Sequence, residues 1–299
     1  MTAELEIELR HREPLDADAL LGFLALRAVP GVEEVTAGGA YRRTLRLTHG
    51  PGSAELCPLG AGRVACRLRL ADERDRGQAL TICRRLFDLD MDPVAVAEGL
   101  GGDPLVAPLV ARRPGLRVPG AADPAELAVR AVLGQQVSVS GARTVAGRLV
   151  ERYGESLPAP DGELTHVFPS AAALAAADPQ DLPMPRRRAG ALIGLCAALC
   201  DGGLSLDPGG DLEGTRAALL DLPGIGPWTA GYVAMRALGD ADAWPPGDLG
   251  LRHAVERLGA AGDGDALTRR AERWRPWRAY ATLHLWTSLG DGVPGARAA

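Results

Sequence analysis

The sequence predicts an α+β protein: an N-terminal antiparallel sheet domain with helices, followed by a mostly α-helical core of two lobes. Three observations carry this. Period-two alternation of apolar and charged residues is confined to roughly the first ninety positions. From about Asp90 onward, apolar residues recur at helical spacing. A Pro- and Gly-rich stretch over residues 112–124 reads as a connection between lobes.

In order along the chain, Leu5, Ile7 and Leu9 alternate with Glu6, Glu8 and Arg10, the pattern of a half-buried strand. Residues 16–28 read as a helix ended by Pro30-Gly31. Val64, Cys66, Leu68 and Leu70 alternate with Arg67 and Arg69, a second strand, and residues 75–88 read as a second helix. Asp123-Pro124-Ala125-Glu126 combines an N-cap, a proline at the first helical position and an acidic residue closing the first turn. Ala142, Val145, Ala146, Leu149 and Val150 form one helical stripe. Further helices are expected over 171–177, 187–198, 213–220, 227–238 and 251–258. The expected domains are 1–93, a lobe made of 94–120 and 241–299, and a lobe of 121–240.

Composition narrows the chemistry. The chain has 299 residues and a net charge of -5. All 33 basic residues are Arg; there is no Lys and no Asn. Without Lys, neither a lysine Schiff base nor a P-loop is possible. Mild acidity argues against holding nucleic acid by bulk charge alone. Cys57, Cys66, Cys83, Cys196 and Cys200 are scattered with no C-x2-C pair, so no zinc or disulfide framework is signalled. A charged N-terminus and the lack of an apolar run long enough to span a bilayer point to a cytoplasmic protein with no membrane partner.

Leu222-Pro223-Gly224-Ile225-Gly226 lies between two amphipathic segments. Two glycines flanking an apolar residue allow a tight turn with positive φ and close backbone approach. The N–H groups of Gly224, Gly226 and Thr229 would then point outward from a helix N-terminus, forming an anion site with no charged side chain. This reads as a helix-hairpin-helix that grips DNA by its phosphates. The alternative is an ordinary turn between helices with a glycine C-cap.

The chain resembles the AlkA-type DNA-3-methyladenine glycosylases II of the helix-hairpin-helix glycosylase superfamily. The residues carrying the resemblance begin with Leu21-Gly22-Phe23-Leu24-Ala25, Arg27-Ala28-Val29 and Arg85-Leu86-Phe87-Asp88-Leu89. They continue through Arg113-Pro114-Gly115-Leu116-Arg117 and Leu133-Gly134-Gln135 with Val137-Ser138-Val139. The hairpin with Trp228-Thr229-Ala230, the tail Ala271-Glu272-Arg273-Trp274-Arg275-Pro276-Trp277-Arg278, and Trp286 complete them. The resemblance implies that Asp248, in the loop after the hairpin, is catalytic; from its position alone it would serve as an N-cap. It implies that Phe23 and Trp286 line a base pocket. Trp228 and Tyr232, four apart on one helix, share a face. All 5 Trp fall at or after Trp228, and several π faces around one cleft suit a cationic alkylated purine.

Further implications follow from the resemblance. The carbonyls of Leu220, Leu222 and Ile225 are expected to hold a monovalent cation; no cofactor is required, and no iron–sulfur cluster is expected because no Cys lies beyond Cys200. The partner is double-stranded DNA with alkylated bases, bound by a monomer. The expected reaction is base flipping followed by hydrolysis of the N-glycosidic bond, without strand cleavage because there is no Lys. Gln136 stands where the family places an apolar Leu that fills the gap left by a flipped base. Gly247 replaces a second acidic residue, and Leu249 and Gly250 replace bulkier neighbours. Two other readings stay open: a DNA-binding scaffold without activity, and a glycosylase for deaminated or oxidised bases.

Overall fold

The computed structural model describes residues 3–290. Strand β1 (Ala3–Arg10) is followed by helix α1 (Ala17–Arg27), then β2 (Glu33–Val35), β3 (Tyr41–Leu47), β4 (Gly50–Gly60) and β5 (Arg63–Leu70), and helix α2 (Arg76–Leu86). The five strands form one antiparallel sheet in the order β1-β5-β4-β3-β2. The alternation seen in the sequence fixes its register: Leu5 faces Leu68, and Leu9 faces Val64. Leu20 and Leu24 of α1 and Ile82 and Leu86 of α2 bury against Val64, Leu68 and Leu70 to form the core of this domain.

Strands β2, β3 and β4 go beyond what alternation showed. Tyr41-Arg42-Arg43-Thr44-Leu45-Arg46-Leu47 carries three arginines, and Gly50–Gly60 carries glycines and prolines that ordinarily weaken a strand. The arginines fit because each has a partner: Arg42 bridges Glu34, Glu55 and Asp161, Arg43 meets Glu126, and Arg46 meets Glu155.

Helices α3 (Pro93–Leu100), α4 (Ala107–Arg112), α5 (Pro124–Leu133) and α6 (Val139–Tyr153) come next. The cap expected at Asp123 is present, its side chain accepting from the N–H groups of Ala125 and Glu126. The expectation of helix throughout the region beyond Asp90 needs one correction. Strands β6 (Glu155–Asp161) and β7 (Leu164–Val167) form a two-stranded hairpin. It closes against the N-terminal domain: Asp161 accepts from Arg42, Arg69 and Ser53, and the Gly31 carbonyl accepts from the N–H groups of Thr165 and His166. Two prolines in β6 hide it from any period-two test.

The remaining helices are α7 (Ala171–Ala175), α8 (Arg186–Asp201), α9 (Leu212–Asp221), α10 (Pro227–Arg236), α11 (Leu249–Arg257), α12 (Gly264–Ala271) and α13 (Arg278–Ser288). They share a second core with α3 to α6, centred on Leu100, Val132, Leu192, Val233, Leu251, Trp274 and Leu285. No helix among the described residues is long and apolar enough to cross a membrane.

A buried ionic seam joins the two cores. Glu33 accepts from the Tyr41 hydroxyl at 2.6 Å and from Arg130 of α5. Glu126 takes Arg130 on one oxygen at 2.8 Å and Arg43 on the other at 2.7 Å. Burial would raise the Glu33 pKa, but Arg130 and Arg43 outweigh it and the net shift is downward. Arg130 also donates to the Arg27 carbonyl at 2.6 Å, and Arg143 donates to that of Ala28. The seam therefore sets where the end of α1 sits over the helical core.

Candidate active site

Asp248 opens α11 as its N-cap. Its Oδ1 accepts from the Leu251 N–H at 2.7 Å and from the Trp286 indole N–H at 2.9 Å; its Oδ2 accepts from the Trp228 indole N–H at 2.7 Å. Three donors from α11, α13 and α10 thus fix one half-buried carboxylate. Gly247 supplies the turn before it, with φ at 76°, where a side chain would be strained. Gly250 is equally local: a Cβ there would lie 3.1 Å from Asp248 Oδ1 and 3.3 Å from the Trp286 indole nitrogen. Gly231 of α10 lets the loop approach, since its Cβ would fall 2.2 Å from the Trp244 carbonyl.

Aromatic rings surround this carboxylate. Trp228 and Tyr232 stack with centroids 5.3 Å apart and planes 8° off parallel. Tyr232 and Trp286 are 6.2 Å apart at 49°. Phe23 reaches in from α1 as a partly buried neighbour of the same core. The structure brings Asp248, Trp228, Tyr232 and Trp286 into one cluster, with Phe23 joined to Tyr232 through a shared guanidinium.

That guanidinium and a second one were not singled out from the sequence. Arg236 is buried; it lies 4.8 Å from the Phe23 centroid and 5.8 Å from that of Tyr232, and donates to the Tyr232 hydroxyl at 3.1 Å. Arg27 lies 3.6 Å from the Phe23 centroid and donates to the Phe23 carbonyl. The π face of Phe23 is therefore already covered by protein cations. Burial lowers the Arg27 pKa. For Tyr232, burial pushes upward, but Arg236, Arg27 and Arg130 prevail and the pKa is lowered. The signal was in the spacing: Phe23 and Arg27 are four apart on α1, and Trp228, Tyr232 and Arg236 succeed each other at four-residue steps on α10.

The hairpin runs from α9 through Leu222–Gly226 into α10. Gly224 adopts φ 87°, and a Cβ there would meet that of Ala191 at 2.6 Å. Gly226 differs from expectation: at φ -99° and ψ 174° it is extended, with open space where a Cβ would go. The positive-φ requirement rests on Gly224 alone. Among the described residues, no protein acceptor pairs with the N–H groups of Gly224, Gly226 or Thr229. The Thr229 side chain is buried, and its hydroxyl accepts from the Gln135 amide at 3.0 Å. Gln135 also donates to the Gly224 carbonyl at 3.0 Å, tying the α5–α6 turn to the hairpin. On that turn Gln136 is exposed and left-handed, with φ 57°. Of the three turn carbonyls, that of Leu222 accepts the Ile225 N–H at 3.1 Å and keeps a second lone pair.

A cavity of about 400 Å³ lies away from this cluster, lined by Arg84, Arg85, Asp88, Asp240 and Tyr280 among others. Burial pushes the Asp88 carboxyl up to about 7, although the Tyr280 hydroxyl and Arg117 pull the other way.

The geometry can be set beside known proteins. Residues 6–123 match the AlkA N-terminal domain, and residues 129–279 match the HhH-GPD superfamily base excision DNA repair proteins. The chain is 39% identical to DNA-3-methyladenine glycosylase 2 of Escherichia coli over 286 residues, 94% of this chain and 97% of that protein. It is 50% identical to a probable bifunctional transcriptional activator/DNA repair enzyme AlkA of Mycobacterium tuberculosis over 97% of its own length, while spanning 58% of that longer relative. Its fold matches a 3-methyladenine DNA-glycosylase from Archaeoglobus fulgidus with a TM-score of 0.81 at 22% identity, over 94% of this chain and 97% of that one. It also matches an 8-oxoguanine glycosylase/lyase of Clostridium acetobutylicum with a TM-score of 0.74 at 18% identity, over 96% and 98%. With two adjoining domain matches and a carboxylate set among indoles beside the hairpin, the chain belongs to the HhH-GPD superfamily of base excision DNA repair proteins, in the branch that carries the AlkA N-terminal domain.

Proposed function

We propose that the protein is a monofunctional DNA glycosylase that flips alkylated bases of the 3-methyladenine type out of duplex DNA and hydrolyses their N-glycosidic bond, leaving an abasic site. The observation that carries this reading is the Asp248 carboxylate, held by two indole N–H groups and a helix N-terminus. Two donors occupy Oδ1 and one occupies Oδ2, so a lone pair on Oδ2 stays open. A sugar placed there develops oxocarbenium charge as the base departs, and a fixed carboxylate stabilises it without reorganising. The same oxygen orients the water that adds to the anomeric carbon. N-alkylation already makes the base a good leaving group, so little acid catalysis is required. A chain without Lys forms no lysine Schiff base and leaves the strand intact.

Trp228, Tyr232 and Trp286 contact the flipped base, and Phe23 with its two guanidiniums closes the far side of the pocket. The unpaired N–H groups of Gly224, Gly226 and Thr229 receive a phosphate one helical turn from Tyr232. Gln136 fills the gap in the duplex. The carbonyls of Leu220, Leu222 and Ile225 are neutral oxygen donors of the kind a monovalent cation accepts. The protein acts as a monomer on cytoplasmic DNA.

The test is incubation of purified protein with methylated duplex. Free 3-methyladenine and 7-methylguanine should appear, with strand breaks only after alkali and no borohydride-trapped adduct. Release of hypoxanthine or 8-oxoguanine without release of methylated bases would favour a glycosylase for deaminated or oxidised lesions. Duplex binding with no base release would leave a non-enzymatic scaffold.

A further inference from the structure

The faces of α10 and α1 that meet around Phe23 and Tyr232 carry an unusual charge arrangement. Arg27 and Arg236 both point at Phe23 and Tyr232, and neither forms a salt bridge with a carboxylate among the described residues. Arg236 is anchored by the carbonyls of Pro119 and Gly120, which are neutral. Arg27 has the Phe23 carbonyl and the Tyr232 hydroxyl, also neutral. Elsewhere in the same region buried guanidiniums are matched with carboxylates, as Arg43 and Arg130 are by Glu126 and Glu33. The positive potential here is strong enough to lower the Tyr232 pKa against burial. Asp248 is joined to the same aromatic cluster through the Trp228 and Trp286 indoles.

Such a pair of cations acts differently on two kinds of leaving group. When the N-glycosidic bond breaks, its electron pair goes to the base. Water adds to the anomeric carbon; the proton it releases ends on the base where that base left as an anion, and in solvent where the base left neutral. A neutral base gains negative charge in this step, and fixed cations stabilise it. A cationic alkylated base loses its charge, so the same cations disfavour its binding and are relieved as it departs. The first effect raises kcat/KM; the second raises KM for the cationic base.

We propose that Arg27, with Arg236 behind it, is a specificity-determining residue that stabilises charge on the departing base and so extends the activity from cationic lesions to neutral ones. The inference rests on the glycosylase reading above, and it assigns the role to a residue four positions from Phe23 that does not touch Asp248.

The experiment compares two duplexes of identical sequence, one carrying 7-methylguanine and one carrying hypoxanthine, with wild type, Arg27→Met and Arg27→Lys. For Arg27→Met, kcat/KM on hypoxanthine relative to 7-methylguanine should fall by roughly tenfold or more, and KM for the 7-methylguanine duplex should drop. Arg27→Lys should restore most of the ratio, because it returns the charge without the planar fork. Equal losses on both substrates, or a ratio that Lys does not rescue, would make Arg27 merely structural and overturn the proposal. Should Arg27→Met lose its thermal transition, Arg27→Gln carries the same comparison, since it keeps a polar N–H donor without the charge. A wild type that releases neither base would instead defeat the glycosylase reading itself.

Discussion

Replacing Asp248 by Asn exchanges one carboxylate oxygen for an amide and removes the charge. The carboxylate serves three donors with two oxygens. An Asn keeps its single oxygen on the Leu251 and Trp286 side, because turning it round would forfeit two hydrogen bonds instead of one. Its amide N–H then faces the Trp228 indole N–H, donor against donor. One lost bond and one unpaired indole cost about 1–3 kcal/mol, a fall of a few degrees in melting temperature. The catalytic loss should be larger. Removing a preorganised stabiliser of developing charge costs on the order of 100- to 1000-fold. Single-turnover release of 7-methylguanine from duplex DNA should drop by that factor. Affinity for undamaged duplex should hold, because the hairpin N–H groups are untouched. Trp228→Phe is the companion variant: it keeps the stack on Tyr232 and removes one donor, so its rate should fall by less, roughly tenfold. An Asn variant with wild-type turnover would show that Asp248 is not catalytic, and a loss of turnover matched by an equal loss of duplex affinity would make its role one of binding.

Four further outcomes are expected. Gly226→Val should melt like wild type, since its backbone is extended and its Cβ position open, yet bind damaged and undamaged duplex equally poorly because its methyls crowd the phosphate site. Gly224→Ala should lower the melting temperature by the equivalent of about 1–3 kcal/mol, and a reversed pattern between the two would show the turn geometry misassigned. Gln136→Ala should slow excision from duplex much more than from single strands, while Gln136→Leu should keep or raise duplex activity; identical duplex rates for all three would move the plug elsewhere, Val137 being the exposed apolar neighbour. Asp88, raised to about 7 from 3.8, stabilises the fold fully below its unfolded pKa and loses that contribution as pH climbs through its folded one. Asp88→Asn should therefore gain on wild type between pH 5 and pH 8, by on the order of 1–3 kcal/mol, read from melting curves; a constant difference across that range would contradict the raised pKa.

What the sequence made legible followed from periodicity. Leu5 to Leu9 and Val64 to Leu70 alternate cleanly, and both are strands, paired with each other in the sheet. Tyr41–Leu47 was hidden because its arginines break the pattern, and their acidic partners lie in other elements, which no local window sees. The hairpin of β6 and β7 was hidden by proline. At the site, Asp248 and the aromatic residues were accessible through motif and resemblance, but the indole donors to Asp248 were not: Trp228 and Trp286 stand 20 and 38 residues from it. Arg27 and Arg236 were missed because an arginine on a helix is ordinarily a solvated charge. The four-residue steps from Phe23 and Tyr232 were present in the sequence; the lack of a carboxylate nearby emerges only in three dimensions.

The seam of Glu33, Arg43, Glu126 and Arg130 bears on how this chain comes apart. Each domain has its own apolar core, an arrangement that ordinarily melts in two steps. Separating the domains would break the Glu33–Arg130 and Arg43–Glu126 pairs while leaving Glu126 with Arg130 on α5, and removing one partner of a buried pair costs about 3–5 kcal/mol. The two halves are coupled, because Arg130 and Glu126 of one meet Glu33 and Arg43 of the other. A cut within residues 112–124 followed by dissociation would leave Glu33 and Arg43 without their partners across the seam. In calorimetry the intact chain should therefore give one heat-absorption peak despite its two cores, and limited proteolysis should release no stable N-terminal piece.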